Sequence, residues 1–64
     1  MAAHFKKRLK YALDNFELAA AESLAEEIYD AELNGYAPTA QEEKLCERLS
    51  KCIQAYRRNM ASLQ

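Results

Sequence analysis

A chain of 64 residues with one glycine, one proline and a formal net charge of -1 has room for a single small domain. The near-neutral balance gives no bulk attraction to nucleic acid or to a membrane surface, and no apolar run approaches the roughly 18 residues that a bilayer span requires. Ala, Leu, Glu, Lys and Arg dominate while β-branched residues are nearly absent, a composition that favours helix and disfavours sheet.

The opening Met1-Ala2-Ala3-His4-Phe5-Lys6-Lys7-Arg8 leads into amphipathic sequence and not into the apolar core of a signal peptide, so a cytoplasmic protein is expected. A first helix is predicted over about residues 3–34. Its apolar positions are Phe5, Leu9, Leu13, Phe16, Ala20, Leu24, Ile28 and Ala31. Their mean spacing of about 3.7 matches the natural helix repeat and predicts a nearly straight rod. Tyr11, Leu18, Ala25 and Tyr29 form a second apolar line on the other side. A helix apolar on both sides has neighbours on both, so Tyr11, Leu18 and Tyr29 mark a candidate second contact face.

The stretch Asn34-Gly35-Tyr36-Ala37-Pro38-Thr39 then stops one helix and starts another. Gly35 can take the left-handed conformation that closes a helix, and Pro38 prevents simple continuation. Thr39-Ala40-Gln41-Glu42 has capping-box spacing, with the Thr39 hydroxyl and the Glu42 carboxylate each able to accept the other's backbone N–H. A turn over 35–38 and a second helix over about 39–62 follow. Leu45, Leu49, Cys52, Ile53, Tyr56, Met60 and Leu63 make one wide stripe on it, bordered by Cys46. The two cysteines lie on one helix and too far around it to bridge, and read as small apolar residues in a reducing compartment.

These elements predict an all-α, antiparallel helical hairpin over residues 1–64. Folded about the turn, it sets Leu45 on Ile28, Leu49 on Leu24, Ile53 on Ala20, Met60 on Leu13 and Leu63 on Leu9. Glu26 then flanks Arg48, Asp30 flanks Lys44, and Glu17 flanks Arg57. Two helices meeting along one seam leave half of each stripe wet, so a homodimeric four-helix bundle is expected. Its candidate interface is Leu9, Leu13, Phe16, Leu24, Ile28, Leu45, Leu49, Ile53, Tyr56, Met60 and Leu63. Glu27 interrupts the stripe, its stem packing and its carboxylate reaching the edge.

The longer first helix is expected to overhang the second. Lys6, Lys7, Arg8 and Lys10, with Arg57 and Arg58 nearby, form a basic pole and a candidate partner-binding site, while acids gather at the turn. Cations at the start of the first helix and acids at its end both oppose the macrodipole, which suggests that something else requires them there. The candidates are an acidic protein surface, nucleic-acid phosphates or another copy, against the plain alternative of a solvated terminus. His4 is the one histidine and is expected far from both cysteines, so no metal or cofactor site is predicted. Paired acids such as Glu26-Glu27 and Glu42-Glu43 read as surface residues, no catalytic constellation is present, and an enzyme is not expected.

The layout of two helices about a single turn resembles the Rop-type RNA-binding hairpins of plasmid copy control, in which two hairpins form a four-helix bundle. No RNA-contacting residue of that family maps onto a position here. Ala3-His4-Phe5-Lys6-Lys7-Arg8-Leu9 and the Ala- and Glu-rich middle are also similar to short early-region proteins of lambdoid bacteriophages. That likeness implies a small dimeric regulator acting on a host protein in the host cytoplasm. The expected function is therefore a non-enzymatic regulatory protein that binds itself and a host or cellular protein, with a Rop-like nucleic-acid-binding regulator as the alternative.

Overall fold

A computed structural model of the chain describes residues 4–62, and it is all-helical over them. Three helices follow one another: α1 (Lys6–Asp14), α2 (Leu18–Leu33) and α3 (Ala40–Ser62). The single rod expected over 3–34 is therefore broken in two. Asn15 leaves helical geometry at φ -125°, ψ 62°, and Glu17 is fully extended. Asp14 and Asn15 supply the local reason, since their short polar side chains compete with the helical backbone. The Asn15 backbone N–H still closes α1 by donating to the Tyr11 carbonyl at 2.9 Å.

Packing supplies the larger reason. The break lets α1 fold back antiparallel to α2 and lie alongside the first half of α3, where Phe5 and Leu9 become fully buried. Each such side chain gains about 1.5–3 kcal/mol on leaving water. A straight rod would leave both to a second molecule, at the added cost of association. The core comprises Phe5, Leu9, Ala21, Leu24, Ile28, Leu49 and Ile53. In α2 the buried alanine is Ala21 and not Ala20, while Leu24 and Ile28 are buried as expected.

The turn forms as its sequence dictates. Gly35 sits at φ +102°, the one positive φ among the described residues. Its N–H donates to the Glu32 carbonyl and the Tyr36 N–H to the Ala31 carbonyl, the paired bonds of a Schellman cap. Four residues after Gly35 the capping box opens α3. Glu42 N–H donates to Thr39 Oγ1 at 3.1 Å, and Thr39 N–H donates to Glu42 Oε1 at 2.9 Å. α3 then returns along α2, with Arg57 reaching Glu22.

The register of the return differs from expectation. Glu22, one turn and more along α2 from Glu17, pairs with Arg57. The pairs Glu26–Arg48 and Asp30–Lys44 do not form among the described residues, because Lys44 and Arg48 face α1. Leu13 and Met60 do not meet either, since α1 lies beside the other half of α3; Leu63 is outside the described residues.

Nothing lies within 4 Å of a Cβ built on Gly35, so Gly35→Ala meets only backbone strain. The substitution is expected to cost about 1–2 kcal/mol, read as a lower urea midpoint at unchanged slope.

Candidate functional site

Glu42 departs most from its expected role as a surface acid. It is 1 % exposed and is the one buried charged residue among those described. It accepts the Phe5 backbone N–H at 2.6 Å and the Tyr36 hydroxyl at 2.6 Å, in addition to the Thr39 N–H. One carboxylate thus joins the start of α1, the turn and the start of α3. It also sits in the first turn of α3, where the helix dipole favours a negative charge. Burial pushes its carboxyl up, but the hydrogen bonds from Tyr36, Thr39 and Phe5 together outweigh that and hold it below the ordinary value. Tyr36 is raised, chiefly by burial and then by its bond to Glu42.

His4 accompanies this cluster. It lies at the turn and not at the far end, its backbone N–H donating to Tyr36 Oη at 3.1 Å. The Phe5 ring packs edge-on to both His4 and Tyr36, with centroids 4.9 and 5.4 Å away. Among the described residues no three His, Cys, Asp or Glu side chains converge as metal ligands.

The expected basic pole is not assembled. Back-folding of α1 carries Lys6, Lys7, Arg8 and Lys10 to the turn end, away from Arg57 and Arg58. Arg8 forms a two-pronged ion pair with Glu27, which draws that carboxyl down; both side chains are about half exposed. Glu27 is thus not an interruption of the core stripe but the α2 half of a clasp on α1. The same packing accounts for the charges that oppose each helix's own dipole. The basic start of α1 lies beside the acidic end of α2, so each set of charges suits its neighbour's dipole.

Four of the cations that make no ion pair among the described residues gather along one groove. Lys6 and Lys10 on α1 face Lys44 and Arg48 on α3 across a groove completed by Gln41 and Leu45. No acid lines that groove, and none of the four makes an ion pair among the described residues. Away from that groove, α2 carries two exposed acids: Glu26 at the rim of the α2–α3 groove and Asp30 at the rim of the groove beside the start of α1.

The expected oligomer interface divides in two. Leu9, Leu24, Ile28, Leu49 and Ile53 are buried within the chain, and Leu13, Phe16 and Leu45 pack half-buried against them. Tyr56 and Met60 stay 44 % and 46 % exposed, and every described residue of α3 from 54 to 61 is exposed. Tyr56 keeps one aromatic neighbour, Phe16, with centroids 5.8 Å apart.

The second face does not survive as a unit. Tyr11 now lines the α1–α2 groove, Tyr29 the α2–α3 groove, and Leu18 packs on the core. Both tyrosine rings remain exposed. Cys46 is half-buried, and burial followed by Glu32, Glu42 and Glu43 pushes its thiol up. Cys52, expected within the stripe, is an exposed free thiol, although Leu49 and Ile53 of that stripe are buried.

The break at Asn15 and the burial of Glu42 were the features sequence reasoning missed. The signals were the Asp14-Asn15 pair and a capping glutamate whose second oxygen had no assigned donor. No protein-family model, curated protein or solved structure matches this chain. No helix among the described residues is long and apolar enough to cross a membrane.

Glu42→Gln places an amide nitrogen among donors and is expected to cost about 2–4 kcal/mol in urea unfolding. The folded Glu42 pKa lies below the unfolded one. Its stabilisation is therefore complete above the unfolded value and is lost as pH falls through the folded value. Urea midpoints across acidic pH are expected to show that loss in the wild type and to show it diminished in Glu42→Gln.

Proposed function

We propose that this chain is a non-enzymatic interaction protein that works as a homodimer and binds a host or cellular protein. The observation that carries the reading is the open end of α3. At 23 residues α3 is about 34 Å long, against about 13 Å for α1 and 24 Å for α2. Its apolar stripe outruns the helices available to cover it, leaving Phe16, Tyr56 and Met60 as a continuous half-covered surface.

Size supports the same reading. The chain measures 44 × 22 × 16 Å with a radius of gyration of 12.4 Å, where a compact fold of this length has about 10.7 Å. Its accessible surface is 5032 Å², about 900 Å² more than a compact monomer of 7.3 kDa exposes. That excess is close to the roughly 800 Å² that each partner contributes to a standard interface. Two α3 ends crossing antiparallel, each flanked by the start of α2, form a local four-helix bundle about a two-fold axis. The α1 helices stay outside it, on their own chains.

A protein partner accords better than nucleic acid with the charges that remain. The cations expected to form one pole are divided between two ends, two of them are held by Glu27 and Glu22, and the net charge is -1. The likeness to short phage early-region proteins points the same way, to a regulator of a host factor.

Sedimentation at micromolar concentration and 300 mM salt is expected to give twice the chain mass. At that salt the double variant Tyr56→Glu, Met60→Glu is expected to sediment as one chain with its helical circular dichroism intact. A wild-type protein that sediments as a single chain would overturn the reading.

A further inference from the structure

Opposite sides of this molecule carry opposite charge at the same interval. On one side, Lys6 and Lys10 stand one helical turn apart on α1, and Lys44 and Arg48 one turn apart on α3. α1 and the first half of α3 run parallel, because Phe5 at the start of one meets Glu42 at the start of the other. The four cations therefore form two rungs, each pair separated along its axis by about 6 Å. Leu45 lies half-buried in the floor between them. Facing like charges across a groove costs stability unless an anion enters it.

On the other side, α2 presents Glu26 and Asp30, again one turn apart and exposed, with no ion pair among the described residues. Tyr29 and Leu33 flank them, 63 % and 68 % exposed. At 100° per residue both acids point away from Leu24 and Ile28, which face the core.

We infer that the α1–α3 groove docks the outer face of α2 from a second copy of this chain. Glu26 and Asp30 of that copy enter between the two rungs, and its Tyr29 and Leu33 cover Leu45. The occupant is helical, acidic at four-residue spacing and apolar at its border, which is the pattern the groove complements. The groove and the outer face of α2 lie on opposite sides of a three-helix bundle, so the contact is head-to-tail. It cannot close as a two-fold pair, and it adds copies in a row. This contact shares no residue with the proposed dimer surface at Tyr56 and Met60.

The contact is ionic and exposed, so it is expected at low salt and lost at high salt. Sedimentation velocity of the wild-type chain at 20 mM salt is expected to show species larger than the dimer, which disappear at 300 mM. K44E/R48E alone and E26K/D30K alone are each expected to abolish them, with circular dichroism confirming the fold. The chain carrying K6E, K10E, K44E and R48E together with E26K and D30K restores opposite charge across the contact and is expected to recover them. A wild-type protein no larger than a dimer at 20 mM salt overturns the inference, as does association that survives K44E/R48E or is not recovered in the combined chain. Binding of a 20-base-pair RNA duplex that requires Lys44 and Arg48, in a chain that does not self-associate, overturns it in favour of a nucleic-acid site. Repeating the 20 mM run with Tyr56→Glu, Met60→Glu separates the two surfaces, since loss of the dimer leaves stacking of single chains in place.

Discussion

A carboxylate removed from water must be met by donors on several sides, and Glu42 meets that demand with backbone and side-chain groups from three segments. Phe5 contributes a backbone N–H at the start of α1, one of the donors a helix cannot satisfy by itself. Tyr36 contributes a hydroxyl from the turn, and Thr39 an N–H from the start of α3. The position of α1 depends on this junction more than on its own nine residues, which are too few to hold a helix in isolation. Once Phe5 is fixed there, Leu9 enters the core and Arg8 comes within reach of Glu27.

That junction also decides where the charges go. A chain with its first helix extended would collect cations at one end. With α1 folded back, the same cations are sorted: Arg8 is taken up by Glu27, and the dipoles of α1 and α2 are matched by each other's side chains. What is left over is specific, namely a groove of four cations and a strip of acids facing the opposite way. The segregation belongs to the fold and not to the composition, since the whole chain is almost neutral.

Some of this could be read from residue order alone. Gly35, Pro38 and the Thr39–Glu42 pair act through local backbone geometry, and both the turn and the start of α3 followed from them. The helical class and the apolar positions Leu24, Ile28, Leu49 and Ile53 followed from periodicity. The Asp14-Asn15 pair allowed a break but did not require one, because the regular spacing of Phe5, Leu9, Leu13 and Phe16 is the same whether the helix continues or folds back. Choosing between the two needs the energy of burying Phe5 and Leu9 against residues more than ten positions away, which no local pattern records. The candidate sites inherited the error: a basic pole and a tyrosine face both assumed one straight rod. The first oxygen of Glu42 was assigned correctly through the capping box, and the second found Phe5 only once the chain had closed.

The bond between Phe5 and Glu42 spans 37 positions in the chain. During synthesis on a ribosome, α1 emerges long before the acceptor that anchors it. The nascent segment must wait, apolar and basic, until the turn and the first residues of α3 have also cleared the exit channel. A chaperone or an early-binding partner therefore has a window in which the first helix is accessible, and that window shuts when residue 42 arrives.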